Sequence, residues 1–253
     1  MMTPSTNQGT NQGTDQSTNQ STQHLRGLPR SELLAMYAAA GEATACLAAM
    51  AERGINPTTE AINGASAVEE WAHFPPSDTV DPATCSRYYY HAHSADERVP
   101  GEHGHFHTFA HTADADGKIN ARSPFAHLIG ISTDASGSLI RLFTVNRWVT
   151  DETWFDAEVV CSLLDRFDLT SSESSNDLNR WVQAIMRMFR PQIEYLIRSR
   201  DPAVAAFRAA HPDEDVFENR ALRVTSEMLV NFLAQIRAIE FALAGDEASS
   251  PEA

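Results

Sequence analysis

The sequence predicts an α+β fold in which a small antiparallel sheet of about four strands, arranged as a meander, is flanked by N-terminal and C-terminal helices. Three observations predict it. Apolar residues recur at helical spacing from Ser31 to Arg53, the middle third switches to strand-like alternation, and helical spacing returns after Trp154.

The first helix, SELLAMYAAAGEATACLAAMAER, is rich in Ala, Leu, Met and Glu, with Ser31 placed to cap it and Gly54 to end it. A second should cover Thr58 to Trp71. HFPPSDTVDP, with three prolines and two aspartates, then reads as an irregular loop. Four strands follow at Ser86 to His93, His103 to His111, Phe125 to Thr133 and Ser138 to Thr150, the last pair joined by the tight-turn signal DASG. The remaining helices are expected at Asp156 to Phe167, Asp177 to Arg200 with a break or kink at Pro191, Pro202 to Ala210, and Asp215 to Leu243.

Residues 1–24 are expected to be a disordered tail, because the repeat TNQG TNQG TDQS TNQS at positions 6–21 has no aromatic or aliphatic side chain to offset its ordering entropy. Residues 25–245 should form a single domain, and 246–253 a second short tail. Cys46, Cys85 and Cys161 are isolated and outside any CxxC pattern, which fits reduced thiols and a cytoplasmic setting. A net charge of −15 repels phosphate backbones and anionic headgroups, so neither nucleic acid nor membrane is an expected partner. No run reaches the roughly 18 consecutive apolar residues of a membrane span. The motifs GxGxxG, P-loop and GxSxG are absent from the sequence.

The chemistry concentrates in RYYYHAH (87–93) and GEHGHFHTF (101–109). Side chains alternate across a strand, so Tyr89, His91 and His93 should share one face, as should His103, His105, His107 and His111. With His93 opposite His103, His91 falls opposite His105 and Tyr89 opposite His107. His103 and His107 would stand about 13 Å apart at roughly 3.3 Å per residue, so one ion can take only part of the set. The candidate metal ligands are therefore His91, His93, His103, His105 and His107. Imidazole donors suit a divalent transition metal, iron or zinc above all and also copper. Glu102 is the carboxylate to complete the site, with Asp78 as an alternative. Two histidines and a carboxylate would make a non-haem iron oxygenase site, and three histidines with a water a zinc-type hydrolase site.

His91-x-His93, then Glu97, then Gly104 resembles the first metal motif of the cupins. The glycine that should precede it is replaced by Cys85, and no second motif follows. This resemblance implies metal binding without implying the cupin barrel. The segments HFPPSDTVDP, YYYHAH, GEHGHFHTF, RLFTVNRWVTDETWF and MFRPQIE together resemble an uncharacterised bacterial family of unknown function. That resemblance implies a recurring plan for the histidine segments and names no activity.

In VNRWVTDETWF, Arg147 is the candidate anchor for an anionic small-molecule substrate, because a guanidinium can clamp a carboxylate bidentately. The structural alternative pairs it with Asp151 or Glu152 and packs the tryptophans in the core. His73, His127 and His211 read as lone structural histidines, although His127 could join the site from the third strand. Tyr88 and Tyr90 should face away from the histidines. The functional expectation is a metal-binding protein and metalloenzyme. A non-catalytic metal-binding or metal-sensing protein, and a metal-free histidine-lined ligand-binding or pH-sensing module, remain the alternatives.

Overall fold

The computed structural model describes residues 22–63, 72–94, 96–114, 116–172 and 176–247. Most of the expected N-terminal tail and the last six residues lie outside this set, as do residues 64–71 of the expected second helix. Residues 22–25 form one helical turn, in which Leu25 is buried.

The class is α+β, with one open antiparallel sheet of six strands among the described residues rather than four. In chain order these are β1 (Phe74–Val80), β2 (Arg87–His91), β3 (Gly104–His111), β4 (Phe125–Thr133), β5 (Leu139–Val145) and β6 (Val224–Leu229). Spatial order equals chain order, so the four expected strands do form a meander and the two additional ones extend its edges. β1 occupies the stretch read as a loop. Pro75 and Pro76 cannot donate to a ladder on both sides, but β1 is an edge strand where that is tolerated. β6 replaces the first half of the expected final helix and pairs with β5, Thr144 bonding through its hydroxyl to Thr225 and Ser226 at 2.7 Å.

The helices are α1 (Arg30–Glu52), α2 (Pro57–Ala61), α3 (Arg147–Thr150), α4 (Ala157–Leu163), α5 (Asn176–Met188), α6 (Arg190–Ala210) and α7 (Phe232–Glu247), with a 3₁₀ turn at Leu164–Arg166. Helix α1 begins one residue before the expected Ser31 cap, with Pro29 at the N-cap and no side-chain cap bond. The helix expected to start at Asp177 does break next to Pro191, which sits in the first turn of α6 and needs no N–H partner there. Pro202, by contrast, lies inside α6 without ending it. Helix α1 is long and apolar enough to cross a membrane by length and composition. Its Leu33, Met36, Ala43 and Met50 are buried, and it packs against α5 and α7.

The strands have two chemically different faces. Tyr88, Tyr90, Phe106, Ile129, Ile131 and Leu142 join the helices in the main apolar core. Trp181 of α5 meets Phe106, and the Tyr88 hydroxyl donates to Asn179 Oδ1 at 2.9 Å. Tyr89, Phe109, Phe143 and Val145 are equally buried but stand outside that cluster, on the face that carries the histidines.

Candidate metal centre

The strand register assembles the site. His91 pairs with His105, Tyr89 with His107, His105 with Ser132, and Ser132 with Arg141, so one row across four strands reads His91, His105, Ser132, Arg141. The parallel row reads Tyr89, His107, Gly130, Phe143. Of the three pairings expected between the first two histidine strands, His91 with His105 and Tyr89 with His107 are present, whereas His93 and His103 lie beyond the paired residues.

His91, His93 and His105 converge, their ligating nitrogens all within 4.8 Å of one another, and all three are buried. His91 Nε2 lies 2.7 Å from His105 Nε2. The other ring nitrogen of His105, Nδ1, lies 2.6 Å from Glu102 Oε1. An ionised Glu102 only accepts, so His105 Nδ1 carries the proton and Nε2 presents a lone pair. Glu102 is held in turn by the Ser132 hydroxyl at 3.1 Å and by Arg141 Nη2 at 3.3 Å, both on Oε2. His93 Nδ1 stands 3.2 Å from Glu97 Oε2, and Glu97 also meets Arg223 Nη1 at 3.2 Å.

Electrostatics keep the trio neutral. Burial pushes the His91 imidazole down to about 2, helped by His105 and His93 beside it. Burial likewise lowers His93, with Arg223 reinforcing it and Glu97 opposing. His105 is held well below the ordinary range by burial, then by His93 and Arg141. For Glu102, burial raises the carboxyl while Arg141 and Ser132 pull it back. Neutral imidazoles are the form that binds a cation.

His107 extends the cluster. Its ring centroid is 4.8 Å from that of His105 and 5.1 Å from that of His91. Nδ1 lies 2.9 Å from His127 Nε2, whereas Nε2 is buried and has no hydrogen-bond partner among the described residues. A β-bulge between Thr108 and Phe109 explains how His127 arrives. Regular alternation from Gly130 would put it on the opposite face, and the extra residue rephases β4 so that His127 pairs with Phe109. His73 also comes close, its ring stacked on Tyr89 at 3.6 Å and its Nδ1 3.0 Å from Asp78 Oδ1. Asp78 thus serves His73 and lies 3.5 Å from Arg87 Nη1.

Two expected site residues stand elsewhere. His103 precedes β3, and its Nδ1 lies 2.7 Å from the Tyr90 hydroxyl, with the two rings stacked. Tyr90 belongs to the helix-facing core, and His103 turns to it and away from the trio because the pairing of β2 with β3 ends at His91 and His105. Arg147 lies at the start of α3, where Nη2 pairs with Glu218 Oε1 at 2.5 Å and Asp215 Oδ2 at 3.8 Å and the guanidinium lies over Phe217. It serves a surface ion pair, with neither Asp151 nor Glu152 as its partner. His111 bonds the Ser123 carbonyl through Nδ1, and His211 the Phe207 carbonyl.

The cations at the site are Arg141 and Arg223. A cavity of about 190 Å³ opens beside the trio, lined by His93, His105 and His107, by Glu102 and by these two arginines. Its apolar wall includes Phe143, Val145 and Val149. Arg141 was legible in principle, since Arg141 and Phe143 alternate onto one face of LIRLFTV. Gly130 sets the position of Phe143 in that wall. A Cβ there would come within 2.4 Å of the Phe143 ring, so only glycine lets that ring lie flat across β4 and edge against His105 at 5.0 Å.

Fold and site together define an α+β protein with a buried histidine cluster on one face of an antiparallel sheet. The chain belongs to the family described as Domain of unknown function (DUF6969), whose model matches residues 37–230. That span holds all six strands and the whole cluster. No curated protein and no solved structure matches the chain.

Proposed function

We propose that this chain is a metal-dependent enzyme whose His91, His93 and His105 bind one divalent transition metal, with hydrolytic, zinc-type chemistry the best fit. The observation that carries it is the convergence of three buried, neutral imidazoles, one fixed from behind by Glu102, beside a cavity. A carboxylate holding the far nitrogen of a ligating histidine fixes its tautomer and raises its basicity. That use of Glu102 also separates the two chemistries anticipated from the sequence. With its oxygens committed to His105, Ser132 and Arg141, Glu102 supports a ligand rather than serving as one, which favours three histidines and a water over two histidines and a carboxylate.

Donors around a tetrahedral ion with bonds of about 2.0–2.1 Å stand roughly 3.3 Å apart. This falls between the 2.7 Å of His91 and His105 and the 4.8 Å limit of the trio, so shifts of the order of an ångström suffice. Bound there, a zinc-type ion would lower the pKa of a water and polarise an acyl or phosphoryl oxygen. The adjoining cavity favours an enzyme over a closed storage or sensing site, since it leaves room for a reactant next to the ligands.

The test is turnover of activated ester probes, 4-nitrophenyl acetate and bis(4-nitrophenyl) phosphate, by untagged protein. Activity that disappears on chelation, returns with zinc and is missing from His91→Ala supports the reading. Full metal occupancy with no hydrolysis above free zinc on either probe removes the hydrolytic part and leaves a metal-binding protein.

A further inference from the structure

We infer that the cavity beside the histidine trio takes a small organic oxyanion, a carboxylate or phosphate head on a short apolar body, recognised by Arg141, Arg223 and the Nε2 of His107. The inference rests on three features of the cavity, the first of which depends in part on the metal reading above.

The first is charge. In a chain whose net charge is −15, two guanidiniums border this one small cavity. On the cavity wall Glu97 and Glu102 offset them formally, the former meeting Arg223 and the latter Arg141, and outside the wall the exposed Glu227 also pairs with Arg141. An ion on three neutral imidazoles therefore brings positive charge that no side chain lining the cavity balances, and a buried charge favours a counter-charge.

The second is an unmet hydrogen bond. His107 is 1% exposed, its Nδ1 is engaged by His127, and its Nε2 has no protein partner. A buried polar nitrogen without a partner is costly, and this ring lines the cavity. With His127 Nε2 donating to Nδ1, the His107 Nε2 carries the hydrogen, and a ligand oxygen would accept it.

The third is shape and polarity. Val99 and Val224 join Phe143, Val145 and Val149 around the cavity, so an oxyanion with no apolar part would leave that wall uncovered. A volume of about 190 Å³ lies below the roughly 300–1,000 Å³ usual for drug-sized ligands, which restricts the body to a few carbons. Arg141 has little freedom to turn away. Its Nε donates to Ser132 at 3.2 Å, and its guanidinium lies 4.4 Å over the Phe143 ring.

Calorimetry on the full chain, with and without zinc, would compare isovalerate, isobutyl phosphate, the neutral isovaleramide and the cationic isoamylamine. The expected result is binding of at least one oxyanion about ten- to a hundredfold more tightly than the amide, with the amine weakest. The preferred head group then tells carboxylate from phosphate. Arg223→Met should reduce the preference while leaving zinc stoichiometry unchanged, and His107→Phe should weaken every oxyanion without changing their order. Equal affinity for acid and amide, or an undiminished preference in Arg223→Met, overturns the inference. A preparation that takes up no zinc contradicts the metal reading separately, and the acid-to-amide ratio on the same metal-free protein still decides the arginine recognition.

Discussion

His105 is held between Glu102 and His91, with its Nδ1 2.6 Å from a Glu102 carboxylate oxygen and its Nε2 2.7 Å from the Nε2 of His91. The contact with Glu102 fixes which nitrogen of His105 is free to coordinate. Glu102→Gln keeps an oxygen acceptor for Ser132 but removes the charge facing His105 and Arg141. Metal affinity should fall by about 10- to 100-fold, the usual loss when an outer partner of a ligand is removed, with the folded circular dichroism spectrum retained. Competition against a chromophoric chelator measures it, and unchanged affinity would show that Glu102 does not orient His105.

His93 and His103 provide a contrast that the alternation pattern alone would not predict. His93→Ala removes a member of the trio, so metal affinity should drop by more than the Glu102→Gln variant loses. His103→Ala removes the bond to the Tyr90 hydroxyl and the ring stacked beside it, at a cost of about 1 kcal/mol of stability and none of the metal. Equal metal loss in both variants would contradict the placement of His103.

Arg147 is a surface residue in ion pairs with exposed carboxylates. Arg147→Ala should change the unfolding free energy by no more than about 1 kcal/mol and leave metal uptake and ester turnover intact. Steady-state kinetics on that variant check it, and a raised KM would return Arg147 to the site.

Gly130 and Phe143 are coupled sterically. Gly130→Ala should force the Phe143 ring out of its position, destabilising the protein by about 1–3 kcal/mol and constricting the cavity. Phe143→Leu added to Gly130→Ala should recover part of that loss, which a double-mutant cycle in denaturant would read as coupling of at least ~0.5 kcal/mol. Strict additivity would indicate that the ring does not depend on Gly130.

Glu152 gives a pH dependence. Burial pushes its carboxyl up to about 8 from an ordinary 4.5, against the backbone N–H of His127, which donates to Oε2 at 2.6 Å, and Arg200. The folded protein thus holds this proton more tightly than the unfolded chain. Its contribution is fully present below pH 4.5 and is lost as pH rises through about 8. Glu152→Gln is neutral throughout, so relative to the variant the parent should lose a few kcal/mol across this window, at up to ~1.4 kcal/mol per pH unit. Denaturation curves over a pH series test this, and parallel profiles would contradict it.

The histidine register was legible because period-two alternation is a local property and sequential strands pair. The match of His91 with His105 and Tyr89 with His107 followed from those two rules once His93 was set opposite His103, a pairing that itself lies beyond the paired residues. The edges of the sheet were not legible. Pro75 and Pro76 signal a break wherever both neighbours must be hydrogen-bonded, and nothing local says that β1 has a neighbour on one side only. In β6, Ser226 to Leu229 offers Glu, Met and Leu, good helix formers that pairing with β5 overrides. Charge partners were hidden for a related reason. Arg147 and Arg141 differ in which carboxylates the fold brings to them, Glu218 for one and Glu102 for the other, and both pairings span long stretches of chain. His127 depended on a bulge, which alternation cannot foresee.

The most direct measurement is elemental analysis of the full chain purified without a histidine tag, beside a His91→Ala, His105→Ala double variant, each before and after reconstitution with zinc or iron. One equivalent of a transition metal in the parent and none in a folded variant is the predicted result. A parent that stays metal-free after reconstitution, or a variant that binds as much as the parent, would contradict the metal centre.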